Sequence, residues 1–392
     1  MPWNETSRMH ERMRFIEDLR LGVFGVAELC RRFGVSRKTG YKWLQRHRRY
    51  GERGLADQSR RPHRSPHQTA AETMERILEM KRLHRSWGAK KLLKILRKKD
   101  PEGAWPACST VSARLKQEGL VVAKSRRVWP GHAPKPQTPM SAPNEIWTVD
   151  YKGEFKTKDG IYCYPLTVVD GCSRYLLGCQ GHYSTATGPA KATFVRLFRE
   201  HGLPRIIRSD NGVPFATTAL GRLSRLSVWW IKLGITPELN EPAHPEQNGR
   251  HERMHKTLKA ETTRPPRANL NAQQRAFNEF RREYNEERPH EGLGLETPAS
   301  VYTPSPRALP ERPPRIEYPA TFEQRLVSEN SGIRWNGERV CVTHVLAGEI
   351  VGLEPIDDGL WDLYFGPVKL GRLDERTLKI TDLLGRNRRR KV

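Results

Sequence analysis

Three carboxylates stand out by where they fall in the chain. Asp150 lies within Ile146-Trp-Thr-Val-Asp-Tyr151, an apolar run whose β-branched and aromatic residues predict a strand. A carboxylate projecting from a sheet needs partners to tolerate burial. Asp210 follows the short apolar run Arg205-Ile-Ile-Arg208 in Ser209-Asp-Asn-Gly212, a tight turn that presents its side chain at a strand's end. Glu252 falls near the start of a helix that leaves the loop His244-Pro-Glu-Gln-Asn-Gly249, with Lys256 and Lys259 on the same helical face. Each acid alone is an ordinary strand, turn or helix residue. Together, with no Ser, Tyr or His constellation for nucleophilic catalysis, they suit hard, oxygen-loving Mg²⁺ or Mn²⁺. Two such ions about 4 Å apart can activate an attacking oxygen and stabilise the leaving oxygen of an in-line phosphodiester displacement. His182, His244, His251 and His255 show no zinc spacing, and Asp159 and Asp170 read as turn residues.

The elements that must position these acids follow from patterning. After the first strand come strands at 161–169 and 174–180, a helix at 189–201, the strand 206–209, and helices at 218–233, 249–262 and 272–285. That order predicts a mixed five-stranded sheet flanked by helices, an α/β core over residues 144–297.

The rest of the chain points to a polyanionic partner. Lys and Arg number 69 against 44 Asp and Glu, and residues 1–140 hold 32 of the bases and 13 of the acids, so 19 of the 25 excess positive charges lie there. Residues 5–56 read as a helix-turn-helix unit: two helices, a break at Gly34, and Ser36 as N-cap of a basic third helix, Arg37 to His47. Arg37, Lys38, Thr39, Lys42 and Arg46 are its candidate DNA contacts. Gly40 is out of place there, because an apolar residue is expected and glycine costs a helix about 1 kcal/mol. A basic linker, 57–69, adds Arg60, Arg61 and Arg64. Residues 70–125 read as a second helix-turn-helix DNA-binding unit, with Ser109 capping its last helix and Arg114 and Lys116 as candidate phosphate contacts. Pro-rich stretches at 126–143 and 298–315 read as linkers, 316–384 as a small β-barrel and 385–392 as a basic tail. No run of about 18 apolar residues occurs and the N-terminus is polar, so a cytoplasmic, nucleoid-associated protein with no membrane segment is expected. The six scattered cysteines are expected to be reduced and in cores.

Taken in order, Trp147-Thr-Val-Asp150, Ser209-Asp-Asn-Gly212 and the Pro245-to-Glu252 loop and helix resemble the three acidic motifs of the DDE transposases of bacterial insertion sequences, whose RNase H-like core is shared with retroviral integrases. Tyr284-Asn-Glu-Glu-Arg-Pro-His290 with Thr297-Pro298 resembles the segment that closes such cores, and tandem helix-turn-helix units before the core and a small barrel after it are an arrangement the family uses. The resemblance implies that Asp150 bridges two metal ions, Asp210 holds one and Glu252 the other, that water attack frees a 3′-OH, and that this 3′-OH then attacks target DNA. It also implies that Lys256 and Lys259 hold the element's end, that the N-terminal units read its terminal repeat, and that a homo-oligomer assembles on the double-stranded DNA. The family's common spacing, 35 residues between the second and third acids, selects Glu246. The motif's shape (Pro, three polar residues, Gly, two residues, Glu) selects Glu252. Two other readings are a structure-selective nuclease with the same core and a DNA-binding regulator derived from a transposase. The tandem DNA-binding units weigh against the first and the presence of all three acids against the second.

Overall fold

The computed structural model describes residues 7–59, 68–121, 138–241 and 249–382. Arg60, Arg61, Arg64 and Glu246 lie outside the described residues. The chain divides into two units, Met1–Gln68 and Thr69–Val392.

In the first unit, α1 (Arg8–Arg20), α2 (Val26–Arg32) and α3 (Arg37–Tyr50) are followed by a 3₁₀ turn, Gly51–Leu55. Ser36 is extended and its Oγ accepts from Thr39 N (3.2 Å), the expected cap of α3. The apolar stripes meet in a core of Phe15, Ile16, Leu29, Cys30, Trp43, Leu44 and Leu55. Gly40 is the crossing point rather than a flaw. It is buried, and a Cβ there would lie 2.5 Å from Cys30 Sγ and 3.2 Å from Phe15 Cζ. Close approach of the helices needs the missing side chain, which offsets glycine's poor helix propensity.

The second unit begins with α4 (Ala71–Leu83), α5 (Ala89–Lys99) and α6 (Cys108–Gln117), packed around Ile77, Trp87, Leu92 and Val111. Ser109 does not cap α6. The N-cap is the extended Ala107, with no side-chain bond, and Ser109 sits inside the first turn.

The core sheet contains β1 (Ile146–Tyr151), β2 (Phe155–Lys156), β3 (Tyr162–Asp170), β4 (Leu176–His182), then α7 (Thr187–His201), β5 (Ile206–Ser209), α8 (Arg225–Lys232) and β6 (Thr236–Leu239). Its strand order is β4-β3-β1-β5-β6, with β3 antiparallel to both neighbours and β1, β5 and β6 mutually parallel. The expected five strands become six. The chain leaves β3's edge after Tyr151 and rejoins it as the two-residue β2, Phe155 opposite Cys163. The helix expected over 218–233 is broken: Gly221 takes φ 65°, a 3₁₀ turn ends at Arg222, and Ser224 restarts α8 with a capping box to Ser227. The sequence reading also missed β6.

Strand alternation sorts the two faces of this sheet. Trp147, Val149, Leu166 and Val168 pack with Phe194, Phe198 and Trp230 of α7 and α8. The opposite face, with Cys163, Val169 and Cys179, is covered by α9 (Gly249–Thr262) and α10 (Leu270–Arg282) through Met254, Leu258, Phe277 and Phe280. A π turn, Glu283–Glu287, ends α10.

The stretch 298–315 is not a free linker. After α11 (Pro298–Val301), Tyr302 stacks on Tyr175 at 4.4 Å, and Arg307 donates to the carbonyls of Pro204, Leu233 and Gly234. Prolines here set an extended path that hydrogen bonds then pin to the core. Beyond it, β7 (Glu323–Leu326), β8 (Gly332–Trp335), β9 (Glu338–Cys341), β10 (Ile350–Asp357), β11 (Leu360–Phe365), β12 (Val368–Asp374) and β13 (Lys379–Asp382) form a five-stranded antiparallel sheet, β13-β12-β11-β10-β7, and a separate β8-β9 hairpin. Both enclose one core that also takes in Leu220, Leu223, Val228 and Ile231. Among the described residues no ladder joins hairpin to sheet into a closed ring. All six cysteines are free, but Cys341 is exposed on β9 rather than in a core. No helix among the described residues is long and apolar enough to cross a membrane.

Candidate active site

Parallel pairing brings the first two acids together. Val149 of β1 is in register with Ser209 of β5, so Asp150 and Asp210 are the next residues of two adjacent strands, which run about 4.8 Å apart. Alternation aims Asp150, like Thr148, at the face covered by α9. That helix is seated by two of its own histidines. His251 Nδ1 lies 2.9 Å from Thr148 Oγ1, and Thr167 Oγ1 on β3 meets His251 Nε2 at 2.7 Å and His255 Nε2 at 2.6 Å. Thr167 also donates to the Asp150 carbonyl, 3.0 Å away. One hydroxyl has one proton, so both imidazoles must donate from Nε2 into its two lone pairs.

Burial favours the neutral form of both rings: it holds His251 down at about 3 and, with His251 as neighbour, keeps His255 below its ordinary range. His255 turns its unprotonated Nδ1 to 3.6 Å from Asp150 Oδ2, a contact without charge pairing. Glu252, one helical turn before His255, is exposed at the same end of the sheet. Sequence reasoning excluded these histidines as zinc ligands and gave them no specific partner. Their spacing of four, on a helix facing Thr148 and Thr167, was the available signal, but the partners lie more than 80 residues away.

Burial, and next the negative charge of Asp210, push the Asp150 carboxyl up to about 7; Glu252 pushes the same way, while Lys152 opposes. Burial also raises Asp210, whose Oδ1 accepts from Gly212 N at 3.3 Å. The acids are coupled by charge. Among the described residues, however, no three His, Cys, Asp or Glu side chains are close enough to form a ready-made metal cage. The donors are oxygens and the nearest imidazole is buried and neutral. A divalent cation would relieve their mutual repulsion, so the residues fit such an ion.

The other predicted contacts are distributed as follows. Lys256 and Lys259 are exposed on α9. Arg37, Lys38 and Lys42 are exposed on α3, and Thr39 joins the Ser36 cap. Arg46 is not a free contact: its Nη2 donates to Ala56 O at 2.9 Å and its Nε is buried. On α6, Lys116 is exposed and Arg114 pairs with Glu118 at 2.8 Å. Asp170 is a buried turn cap, accepting from Asn144 N and from Ser173 N and Oγ. In the closing segment, Asn285 bonds both backbone groups of Leu176, and Arg288, 3% exposed, pairs with Glu261 and Glu283 and donates to Ser86 Oγ.

Two family models, each described as an integrase core domain, match residues 140–245 and 233–298 and so span the sheet, both aspartates and α9. A third, the leucine-zipper of insertion element IS481, matches 23–83, which here falls on the separate helices α2, α3 and α4. Residues 140–298 thus match integrase core domains, and the relatives that follow include proteins of bacterial insertion elements. The chain is 26% identical over 204 residues to an uncharacterized 31.7 kDa protein of insertion element IS407 from Burkholderia multivorans, covering 52% of this chain and 67% of that one. It is 29% identical over 233 residues to an uncharacterized 39.2 kDa protein of IS476 from Xanthomonas euvesicatoria, covering 57% and 62%. A Gag-Pol polyprotein of baboon endogenous virus is 32% identical over 122 residues, 31% of this chain and 7% of the polyprotein. Among solved structures, the HTLV-2 integrase catalytic core in complex with magnesium aligns with a TM-score of 0.33 at 18% identity, covering 41% of this chain and 98% of that one.

Proposed function

We propose that this chain is a DNA transposase that binds the terminal inverted repeats of its element, cleaves at the element's ends and joins them to target DNA. The observation that carries this reading is the placement of Asp150 and Asp210 at matching ends of adjacent parallel strands, with Glu252 on the covering helix and no compensating cation ion-paired to them among the described residues. Asp150 would hold both of two Mg²⁺ or Mn²⁺ ions, Asp210 one and Glu252 the other. Bound there, the ions would polarise the phosphodiester and lower the pKa of the attacking oxygen. The chain's own work is positional. Thr167, His251 and His255 fix α9 against β1 and β3, so that Glu252 is carried on a rigid element rather than a loop. Lys256 and Lys259, exposed on that helix, would hold the element's end by its phosphates. Arg37, Lys38 and Lys42 of α3 would read the repeat, with Lys116 of the second helical module on the backbone. No covalent protein intermediate is required: water frees a 3′-OH, which then attacks the target. Joining two ends requires at least two copies of the chain on the DNA.

The test is metal-dependent strand transfer on labelled duplexes taken from the DNA flanking the gene. Asp210→Asn and Glu252→Gln are expected to lower joined product by at least about a thousandfold, and Glu246→Gln to retain it. Cleavage without joining would favour a nuclease, and specific binding without any cleavage a regulator. Loss in Glu246→Gln alone would move the third acid to the loop.

A further inference from the structure

The flank of α9 turned away from the acids carries a cluster of opposite sign. A concavity of about 190 Å³ opens between α5, the β3–β4 turn, α9 and the segment that follows the π turn. Lys91, Arg174, Arg250 and Arg253 line it with Arg288, and Glu291 is the single carboxylate among the lining residues. Arg288 is already ion-paired with Glu261 and Glu283. Arg250 donates to Gly171 O at 2.9 Å, which ties it to the turn without neutralising it.

Arg174 is held there by construction. Asp170 caps the turn, Arg174 N donates to Asp170 O at 3.0 Å, and the residue adopts φ 63°, a left-handed conformation that a non-glycine residue takes only where the surroundings enforce it. Its guanidinium lies against Gly292, where a Cβ would come within 2.7 Å of Nη2. Arg174 Nε is buried with no hydrogen-bond partner, and so is Nε2 of His290 on the same wall. Burial, and then Arg250, lower the Arg174 guanidinium's pKa, and burial, then Arg288, lower that of the Lys91 ammonium. Cations that disfavour one another around a roomy cleft, with buried donors left over, form an arrangement that an anion completes. The volume is several times the roughly 30 Å³ share of a water molecule.

We propose that this concavity binds a backbone phosphodiester of duplex DNA, gripped by Arg174, Arg253 and Lys91 and framed by Arg250. The choice of DNA over a free anion rests on the transposase reading and on position. Arg253 is the residue after Glu252, about 100° round the helix, and the rim formed by Arg250 and Arg253 is exposed. A duplex engaged at Glu252 carries a phosphate about every 3.4 Å of rise along each strand, so further phosphates run past that rim. Lys91 belongs to the second helical module and Arg253 to the catalytic core, so one phosphate here would clamp both to the same DNA.

The experiment measures affinity of the full chain for duplex DNA against salt, without divalent metal, beside thermal melting in inorganic phosphate. Lys91→Gln with Arg253→Gln is the main variant, since Arg253 is exposed and Lys91 half-buried. Gly292→Ala is a second, which displaces Arg174 without removing charge. The expected result is a slope of log K against log[salt] shallower by about 0.9 for one lost contact in the double variant, with a several-fold loss of affinity at about 0.1 M salt, and weaker binding in Gly292→Ala. Unchanged slopes in variants that melt like the wild type would overturn the proposal. Phosphate raising the wild-type melting temperature, but not the variants', with an unchanged DNA slope, would overturn the assignment to DNA in favour of a free anion. Because binding is read without metal, failure of strand transfer leaves this result intact and the two readings stay separable.

Discussion

Two clusters of charged side chains sit at opposite ends of α9, and they are balanced in opposite ways. Near its start, Glu252 joins Asp150 and Asp210; burial, and next the charge of Asp210, push Asp150 up to about 7, with no ion-paired cation among the described residues. Near its end, Glu261 and Glu283 bracket Arg288 at 2.6 and 3.2 Å, and Ser86 of the α4–α5 turn accepts from the same guanidinium. In the second cluster each acid is ion-paired, and the pairs fasten the helical module to the core. The first is incomplete, and what it lacks is positive charge. Along one helix, charge balance thus separates an ion-paired cluster from one whose acids have no ion-paired cation among the described residues.

The comparison is broken by emptying the balanced cluster. Arg288→Met leaves two half-buried carboxylates without their guanidinium and is expected to cost up to about 3 kcal/mol in denaturant melts, with faster proteolysis around residues 84–88. Adding Glu261→Gln and Glu283→Gln to that variant is expected to recover much of the loss; failure to recover any would mean that the cluster does more than balance charge.

The unbalanced cluster should respond the other way. The folded state holds the Asp150 proton up to about 7, whereas the unfolded chain releases it near 3.8, so the folded state binds the extra proton between those values. Stability from this group is therefore full at low pH and lost as pH rises through about 7. Asp150→Asn removes the penalty. In melts without divalent metal it is expected to raise stability by roughly 1–4 kcal/mol at about pH 8 and hardly at all near pH 4. A neutral or destabilising effect at high pH would contradict the crowding of the three acids.

Much of the site was legible because its signals are local. Ile146–Tyr151, Ile206–Ser209 and Gly249–Thr262 occupy the spans expected for them, since each carries its pattern and its stop signal within a few residues. Long-range contacts were not legible. Nothing near Thr167 announces that it receives two histidines from α9, and Gly40 looked misplaced until Cys30 and Phe15 were found against it. The break at Gly221 and Ser224 was hidden in an apolar stretch that also fits one helix. The prolines of 298–315 suggested a loose connection because composition does not reveal where Tyr302 and Arg307 dock. Arg46 read as a DNA contact from its helical position, yet its reach to Ala56 O turns it inward.

The central claim, that the acids at the ends of β1 and β5 and on α9 together hold divalent metal, is tested most directly by calorimetric titration of the full chain with Mn²⁺ at about pH 8. The account predicts saturable binding by the wild type, weakened at least about tenfold in Asp150→Asn and in Glu252→Gln and kept in Glu246→Gln. Equal Mn²⁺ affinity in the wild type and in both Asp150→Asn and Glu252→Gln would contradict it.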